Sequence, residues 1–219
     1  MDPRGDLAHD FREFRDFKEK IRASLGLDLP YPERPKIEGG TPAAVLMLFS
    51  LEKGSQILMT RRAESVEQHK GQMAFPGGKC EEDEVGEQGE IAAALRETHE
   101  EVGIAPSQVE ILGVLPKLWT ITGFWVTPVV GLLSVPLAEV VLAPCLEEIA
   151  EVFWVPLAKL QDRETYRKEF VSIGSVRYPT HVFQVGEHRI WGATGSMLRN
   201  LLDRLGQLEN KVVNEGEIQ

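Results

Sequence analysis

The chain has 219 residues, of which 42% are hydrophobic and 26% are charged, and its formal net charge is −10. This balance is typical of a globular protein with a buried core, and it excludes a disordered acidic chain, a collagen-like repeat and a coiled coil. The acidic surplus argues against general binding to nucleic acids or anionic membranes, because their phosphates select for Lys and Arg. We therefore expect neither a nucleic-acid nor a membrane partner, and phosphates would bind through a local basic patch or through metal ions.

Three features predict a cytoplasmic location. The N-terminus is charged and has no apolar signal region. The longest apolar stretch, Val129 to Leu137, is interrupted by Gly131 and is far shorter than the roughly 18 to 20 residues of a membrane helix. The two cysteines of the chain, Cys80 and Cys145, fit a reducing compartment better than a disulfide framework.

The first 38 residues are predicted to form an arm. Apolar residues recur every three or four positions from Asp10 to Ser24, which predicts an amphipathic helix, and a proline-rich loop follows. Its apolar face would cover the core or a partner subunit, which leaves a homodimer open. We divide the chain into this arm at residues 1–38, a main domain at residues 39–209 and a C-terminal tail at residues 210–219.

The main domain is predicted to mix strands and helices in one α/β unit. A helix from Glu87 to Val102 ends at Gly103, a short helix begins at Pro156, and a C-terminal helix runs from Ala193 to Leu208. Residues 61–86 are polar and glycine-rich, which predicts a loop. The predicted strands are Ala43–Phe49, Gln56–Thr60, Val109–Leu115, Trp125–Leu133, Ile149–Val155, Tyr178–Val185 and Arg189–Trp191.

The helix that ends at Gly103 concentrates acidic side chains. At about 100° per residue, Glu90, Glu97, Glu100 and Glu101 fan over roughly 100° of one helix face. A solvated acidic face is the plain interpretation. However, Glu100 and Glu101 lie in the last turn, where the helix dipole disfavours anions, and Glu97 and Glu101 form a like-charge i,i+4 pair. A bound divalent cation would remove both costs, and oxygen ligands suit Mg²⁺ or Mn²⁺.

The run Arg96–Ile104 resembles the second half of the Nudix box, G-x5-E-x7-R-E-U-x-E-E-x-G-U, in which U is a bulky apolar residue. Gly78, in the run Phe75–Gly78, is similar to the glycine that opens the box. Gly78 precedes Arg96 by 18 positions, whereas the motif requires 14. The position eight before Arg96 is Gln88, so the first glutamate of the box is not assigned, with Glu87 and Glu90 as nearby substitutes.

Upstream, the chain resembles the coenzyme A pyrophosphatase branch of the Nudix family, whose signature is L-L-T-x-R, then R-x3-G-x3-F-P-G-G. The matching segments are Leu58–Arg62 and Gly71–Gly78, but Glu67 stands where the branch has its second arginine. Three later segments are also similar to this branch: Gly123–Gly131, Glu151–Leu157 and Ile190–Thr194. The resemblance implies a Nudix α/β/α sandwich with a mixed β-sheet, preceded here by a helical extension.

The resemblance also implies a reaction, the metal-dependent hydrolysis of coenzyme A or its derivatives to 3',5'-ADP and 4'-phosphopantetheine or its acyl form. Two alternatives stay open: a Nudix hydrolase of another nucleoside diphosphate-X substrate, such as ADP-ribose, a dinucleotide or a nucleoside triphosphate, and a non-catalytic nucleotide sensor. The intact run of Arg96, Glu97, Glu100 and Glu101 argues against the sensor, because degenerate members usually lose these acids.

Roles follow from the resemblance residue by residue. Glu97, Glu100 and Glu101, with Gly78, would hold Mg²⁺ or Mn²⁺, and Arg96 would orient a carboxylate. Glu148 is the candidate general base, with Glu147 and Glu97 as rivals. The expected substrate-binding residues are Arg61, Arg62 and Lys70 for the phosphates, and Phe124 or Trp125 for the adenine.

Overall fold

The computed structural model describes residues 15–27, 39–52, 54–65, 69–173 and 176–216. Its helices are residues 15–25 (α1), Gly86–Val102 (α2), Leu157–Gln161 (α3) and Gly192–Gly216 (α4). Its first eight strands are Thr41–Ser50 (β1), Gln56–Arg62 (β2), Met73–Ala74 (β3), Gly77–Lys79 (β4), Val109–Val114 (β5), Leu118–Trp119 (β6), Phe124–Leu133 (β7) and Ile149–Pro156 (β8). The last three are Tyr166–Ile173 (β9), Val176–Val185 (β10) and His188–Ile190 (β11).

The first eight strands form one mixed sheet. Its main path runs β3-β2-β1-β7-β5, while β4 pairs with β1, β6 with β7, and β8 with β2. Among the described strands of this sheet, β1 and β7 form the one parallel pair. Strands β9 to β11 form a separate antiparallel sheet. The register places Gly78 of β4 beside Ala44 of β1 and Thr127 of β7, in one row across the sheet.

Alternate residues of β1 face two different cores, as the two-residue period of a strand requires. Leu46 and Leu48 are fully buried in a core that includes Ala93 and Ala94 of α2. Met47 and Phe49 are fully buried in the opposite core, with residues of α1 and α4. The mixed sheet therefore lies between α2 on one face and α1 with α4 on the other, which confirms the predicted α/β/α fold class.

The N-terminal arm is attached through α4. Arg204 of α4 is buried and donates hydrogen bonds to the main-chain oxygens of Ser24 (3.1 Å) and Leu27, at the end of α1. These bonds satisfy carbonyl groups that a helix C-terminus leaves unpaired. At the other side of α1, Lys18 and Arg22 form ion pairs with Glu110 of β5. Helix α1 and the residues that follow it are thus joined to both α4 and the main sheet.

The predicted elements are largely confirmed, with three differences. The segment predicted as a loop at residues 61–86 contains β3 and β4, and strands β6 and β9 were not predicted. Helix α4 runs to Gly216, beyond the predicted end at Leu208. The predicted N-terminal helix is confirmed from residue 15, and its first residues lie outside the described part of the chain. No described helix is long and apolar enough to cross a membrane, and both cysteines are free thiols.

Candidate active site

Helix α2 carries the acidic residues and ends as predicted. Gly103 adopts φ +83°, and its N–H donates a hydrogen bond to the main-chain oxygen of His99. This left-handed conformation favours glycine and terminates the helix. Helix α2 packs against β4, the strand that contains Gly77 and Gly78.

Gly78 brings the sheet backbone close to Glu97. A Cβ atom added to Gly78 would lie 2.4 Å from the Cδ atom of the Glu97 carboxylate. Because atoms cannot approach so closely, a side chain here would displace Glu97. Gly78 and Glu97 therefore face each other, and the space between them is free because Gly78 has no side chain.

Arg96 connects three acidic side chains. Its Nε and Nη2 donate hydrogen bonds to the two carboxylate oxygens of Glu84, both at 3.0 Å, in a bidentate pair. Its Nη1 donates to Glu97 Oε1 at 3.0 Å and to Glu100 Oε2 at 3.2 Å. Nη2 also reaches the main-chain oxygen of Lys79 at 3.1 Å. Such bidentate, charge-assisted bonds fix the plane of a guanidinium group, so Arg96 holds Glu97 and Glu100 at one point.

Glu84 is the residue that sequence reasoning missed. It lies six positions after Gly78, the G-x5-E spacing of the box, and the four extra residues fall between Glu84 and Arg96. Counting eight positions back from Arg96 leads to Gln88, whereas counting six positions forward from Gly78 leads to Glu84. Hydrogen bonding to Arg96 lowers the pKa of Glu84 below its ordinary value. Glu84 therefore remains an anion that anchors Arg96.

The substitutes considered for that glutamate lie elsewhere. Glu87 is exposed in the first turn of α2. Glu90 is buried, accepts a hydrogen bond from Thr127 Oγ1 at 2.8 Å and forms an ion pair with Lys117. Glu90 thus belongs to a polar contact between α2, β7 and the loop before β6.

Glu101 is the most buried acid at the end of α2, with 5% of its side chain exposed. Its Oε2 accepts a hydrogen bond from the Gly77 N–H at 2.9 Å, and its Oε1 lies 3.7 Å from Arg62 Nη1. Burial raises the pKa of Glu101 to about 7, although the Gly77 bond and the charge of Arg62 oppose the shift. Burial also raises the pKa of Glu97, against its bond to Arg96. These two carboxylates carry charge that the protein compensates only in part.

Glu148 approaches the same carboxylates from the loop before β8. Its N–H donates to the main-chain oxygen of Cys145 at 2.9 Å, and its own oxygen accepts from Ala63 N–H at 2.7 Å. Cys145 in turn donates from its N–H to the main-chain oxygen of Glu101 at 2.9 Å. The negative charge of Glu148 contributes to the raised pKa of Glu97 and of Glu101. Glu148 and the neighbouring Glu147 are both exposed, and the main-chain oxygen of Glu147 accepts a hydrogen bond from Ser65 Oγ.

The two adjacent arginines of β2 have different partners. Arg61 Nη2 bonds Glu151 Oε1 of β8 at 2.8 Å. Arg62 lies beside Glu101, and its Nε is buried with no hydrogen-bond partner among the described residues. The β2–β8 ladder has a register shift between Arg61 and Arg62. An unsatisfied buried donor of this kind suits an anionic ligand.

The remaining predicted residues lie further from these contacts. Lys70 is exposed at the turn before Gly71. Phe124 lies at the start of β7, with Lys79 Nζ 5.9 Å from its ring centroid. Trp125 packs edge-on against Trp119, with ring centroids 5.2 Å apart. Both rings are on the strand that carries Thr127, two or three positions before the row of Gly78.

The donor set fits a divalent cation. It consists of the carboxylate oxygens of Glu97, Glu100 and Glu101 near Gly78. The charge of the buried Glu101 is only partly compensated by its neighbours. Among the described residues, no three His, Cys, Asp or Glu side chains are already gathered around one point. Mg²⁺ is usually held by one or two carboxylates, while waters and substrate phosphates complete its shell. The arrangement therefore suits an ion that binds together with a phosphate substrate.

The fold and the site define a class of protein: an α/β/α domain whose polar site lies at the end of one helix, opposite a glycine turn. The family model for the NUDIX domain matches residues 40–172. The chain belongs to the Nudix family and is a Nudix hydrolase, a pyrophosphohydrolase that acts on small-molecule nucleoside diphosphate-X substrates.

Relatives of known sequence agree with this assignment. The chain is 35% identical over 175 residues to an uncharacterized Nudix hydrolase, NudL, of Pectobacterium atrosepticum, covering 80% of this chain and 88% of that protein. It is 37% identical over 164 residues to the NudL of Enterobacter sp., covering 75% and 82%. Among structures, it is similar to the Nudix hydrolase RenU of M. smegmatis, with 26% identity, a TM-score of 0.45 and coverage of 56% and 74%. A MutT/nudix family protein of Enterococcus faecalis matches with 18% identity, a TM-score of 0.46 and coverage of 90% and 74%.

Proposed function

We propose that this Nudix hydrolase cleaves the diphosphate bond of coenzyme A or its derivatives. Water attacks phosphorus, a bridging P–O bond breaks, and the products are 3',5'-ADP and 4'-phosphopantetheine or its acyl form. The observation that carries the proposal is Arg62, which belongs to the segment similar to the coenzyme A branch. Its Nη1 lies 3.7 Å from Glu101 Oε1, and its buried Nε has no hydrogen-bond partner in the described part of the chain. A diphosphate oxygen is a ligand that would satisfy this donor.

Glu97, Glu100 and Glu101 would hold Mg²⁺ or Mn²⁺, with the backbone at Gly78 alongside. When bound, the ion would neutralise charge on the diphosphate and lower the pKa of the attacking water. A cation fits here because the carboxylate of Glu101 is buried and that of Glu97 is half-buried, and neighbouring groups compensate the charge of each only in part. Arg96 would keep Glu97 and Glu100 oriented through the bonds already described.

Glu148 is our proposed general base, which would accept the proton of the attacking water at its carboxylate. The support is its position: its backbone joins the end of β2 to the Cys145 turn, and its charge acts on both Glu97 and Glu101. Glu147 and Glu97 remain the rival bases. A general base accepts its proton in the transition state and contributes little to substrate binding. Glu148→Gln should therefore lower kcat strongly and leave KM nearly unchanged.

Substrate specificity is tested by product analysis. The protein is incubated with coenzyme A, ADP-ribose, NADH and a nucleoside triphosphate, each with Mg²⁺ and with Mn²⁺, and the products are separated by chromatography. We expect metal-dependent release of 3',5'-ADP from coenzyme A to be the fastest reaction. Faster cleavage of another substrate would contradict the coenzyme A proposal but keep the metal chemistry. Binding of these nucleotides without any cleavage would support the sensor instead.

A further inference from the structure

The segment between Glu84 and its partner Arg96 is about one helical turn longer than in the family motif. Eleven residues, 85–95, lie between Glu84 and Arg96, whereas the family motif has seven. Four extra helical residues would move Glu84 about 6 Å further along the axis if the chain simply continued the helix. Glu84 nevertheless forms a bidentate pair with Arg96. The chain must therefore reverse direction between Glu84 and the first turn of α2, so that Glu84 lies alongside the helix.

Two glycines mark this fold-back. Gly86 adopts φ +71°, a left-handed conformation that turns the chain into the helix. Gly89 lies one turn later, and a Cβ atom added there would be 2.2 Å from the carbonyl carbon of Glu84 and 2.7 Å from its Cα atom. The obstacle is main chain and not the end of a flexible side chain. The Glu84 backbone thus rests directly on the helix at Gly89.

The side chains complete the geometry. Gly89 and Arg96 are seven residues apart, so they lie on the same face of α2. A long helical side chain points toward the helix N-terminus, which directs Arg96 over Gly89 and toward Glu84. The turn at residues 81–84 is itself closed, because the Glu81 N–H donates a hydrogen bond to Glu84 Oε2 at 2.8 Å. A small displacement of the Glu84 backbone would therefore separate both carboxylate oxygens from Arg96.

We propose that Gly89 is a positioning residue of this hydrolase: the space left by its missing side chain holds Glu84 against α2, so that Glu84 fixes Arg96 against Glu97 and Glu100. Glycine inside a helix ordinarily weakens the helix relative to alanine. The contact with Glu84 gives this glycine a reason to be present. The inference rests on the proposed metal chemistry, since Glu97 and Glu100 are the acids that Arg96 orients.

The test compares two glycine-to-alanine substitutions in helices. Gly206 of α4 is the matched control, because an added Cβ atom there meets no described heavy atom within 4 Å. The variants are Gly89→Ala, Gly206→Ala, Glu84→Gln and the double variant Gly89→Ala/Glu84→Gln. For each we would measure kcat and KM, direct Mn²⁺ binding by electron paramagnetic resonance, the Arg96 Nε–H resonance by NMR, and the thermal unfolding midpoint.

The two alanine variants should differ clearly. Gly206→Ala should keep wild-type activity and unfold a few degrees higher, as expected for a plain helix position. Gly89→Ala should lose kcat by roughly 10- to 100-fold, because a displacement of about 1 Å in a positioned group has effects of this size. It should also bind Mn²⁺ more weakly and lose the exchange protection of the Arg96 Nε–H. Glu84→Gln should show the same losses, and the double variant should be no worse.

Other outcomes would overturn the inference. The inference fails if Gly89→Ala keeps wild-type activity, as Gly206→Ala should. It also fails if the fold-loss of kcat in the double variant equals the product of the losses in the two single variants. If Gly89→Ala does not fold, Glu84→Gln decides, and wild-type Mn²⁺ binding in that variant would refute the positioning route. Failure of the proposed metal chemistry is distinguishable, because then the wild-type protein itself would neither bind Mn²⁺ nor cleave a nucleotide. Failure of the coenzyme A proposal alone would leave wild-type Mn²⁺ binding and the cleavage of another nucleotide intact.

Discussion

Two acids on α2, Glu90 and Glu101, are both buried but have different partners. Glu90 accepts a hydrogen bond from Thr127 and forms an ion pair with Lys117. Glu101 has one backbone N–H and an arginine 3.7 Å away, and burial raises its pKa to about 7. A buried charge with a full set of partners stabilises a fold, whereas a partly compensated one is suited to bind a ligand. Partners, and not burial, therefore distinguish Glu90 from Glu101, our proposed metal ligand.

The largest expected effect is on activity at Glu101. Glu101→Gln keeps the size of the side chain and its contact with Gly77 but removes the charge. We expect kcat to fall by roughly 100- to 1,000-fold, the range for loss of one electrostatic group in an active site. Steady-state kinetics with saturating Mg²⁺ measures the loss. An unchanged rate would refute the metal role of Glu101.

The two arginines of β2 should separate in the same way. Arg62→Ala removes the donor beside Glu101, and we expect KM for the nucleotide to rise by roughly tenfold or more, as for the loss of a hydrogen bond to a charged group. Arg61→Ala removes an exposed pair with Glu151, whose contribution is small. Kinetics of both variants on one substrate tests this comparison, and equal KM changes would contradict it.

Glu90→Gln should affect stability and leave catalysis intact. The substitution weakens the contacts with Lys117 and Thr127, and we expect the free energy of unfolding to fall by about 1 to 2 kcal/mol, since half of the Lys117 side chain is exposed. Urea denaturation measures this loss, and the kcat should stay within about twofold of wild type. A large loss of kcat with unchanged stability would reverse the roles assigned to Glu90 and Glu101.

The smallest expected effect is a pH dependence of stability in the metal-free protein. The folded pKa of Glu101, about 7, lies above its ordinary value of 4.5, so the folded state binds more protons between these pH values. Stability should therefore be highest near pH 5 and decrease as the pH rises toward 7. Glu101→Gln should reduce this slope, and Mg²⁺ should restore stability at pH 7. Thermal melts across this range, with chelator present, would contradict the account if the slope were the same in both proteins.

The sequence predicted α2, its end at Gly103 and a mixed α/β domain, because these depend on local periodicity and on a glycine with positive φ. The α/β/α arrangement was implied by the resemblance to the Nudix family. It missed β3, β4 and β6, since two- or three-residue strands carry no detectable period. Strand β9, with the sequence YRKEFVSI, has three charged residues in a row and lies at the edge of a small sheet, so its apolar residues do not alternate regularly.

At the site, the sequence indicated the acids but not their partners. Arg61 and Arg62 were treated as equivalent, although neighbouring residues of a strand ordinarily point to opposite faces. Glu84 was missed because the spacing of the box was taken from Arg96, across the four extra residues, and not from Gly78. The bidentate contact between Glu84 and Arg96, twelve positions apart, required the structure.

The most direct test of the central claim is a Mn²⁺ titration followed by electron paramagnetic resonance. It compares the wild-type protein with Glu90→Gln and Glu101→Gln, in the presence of a nonhydrolysable nucleotide diphosphate. We predict that wild type and Glu90→Gln bind Mn²⁺ equally, and that Glu101→Gln binds it at least tenfold more weakly, about 1.4 kcal/mol. Equal binding by all three proteins would contradict the account, because the end of α2 would then not hold the metal ion.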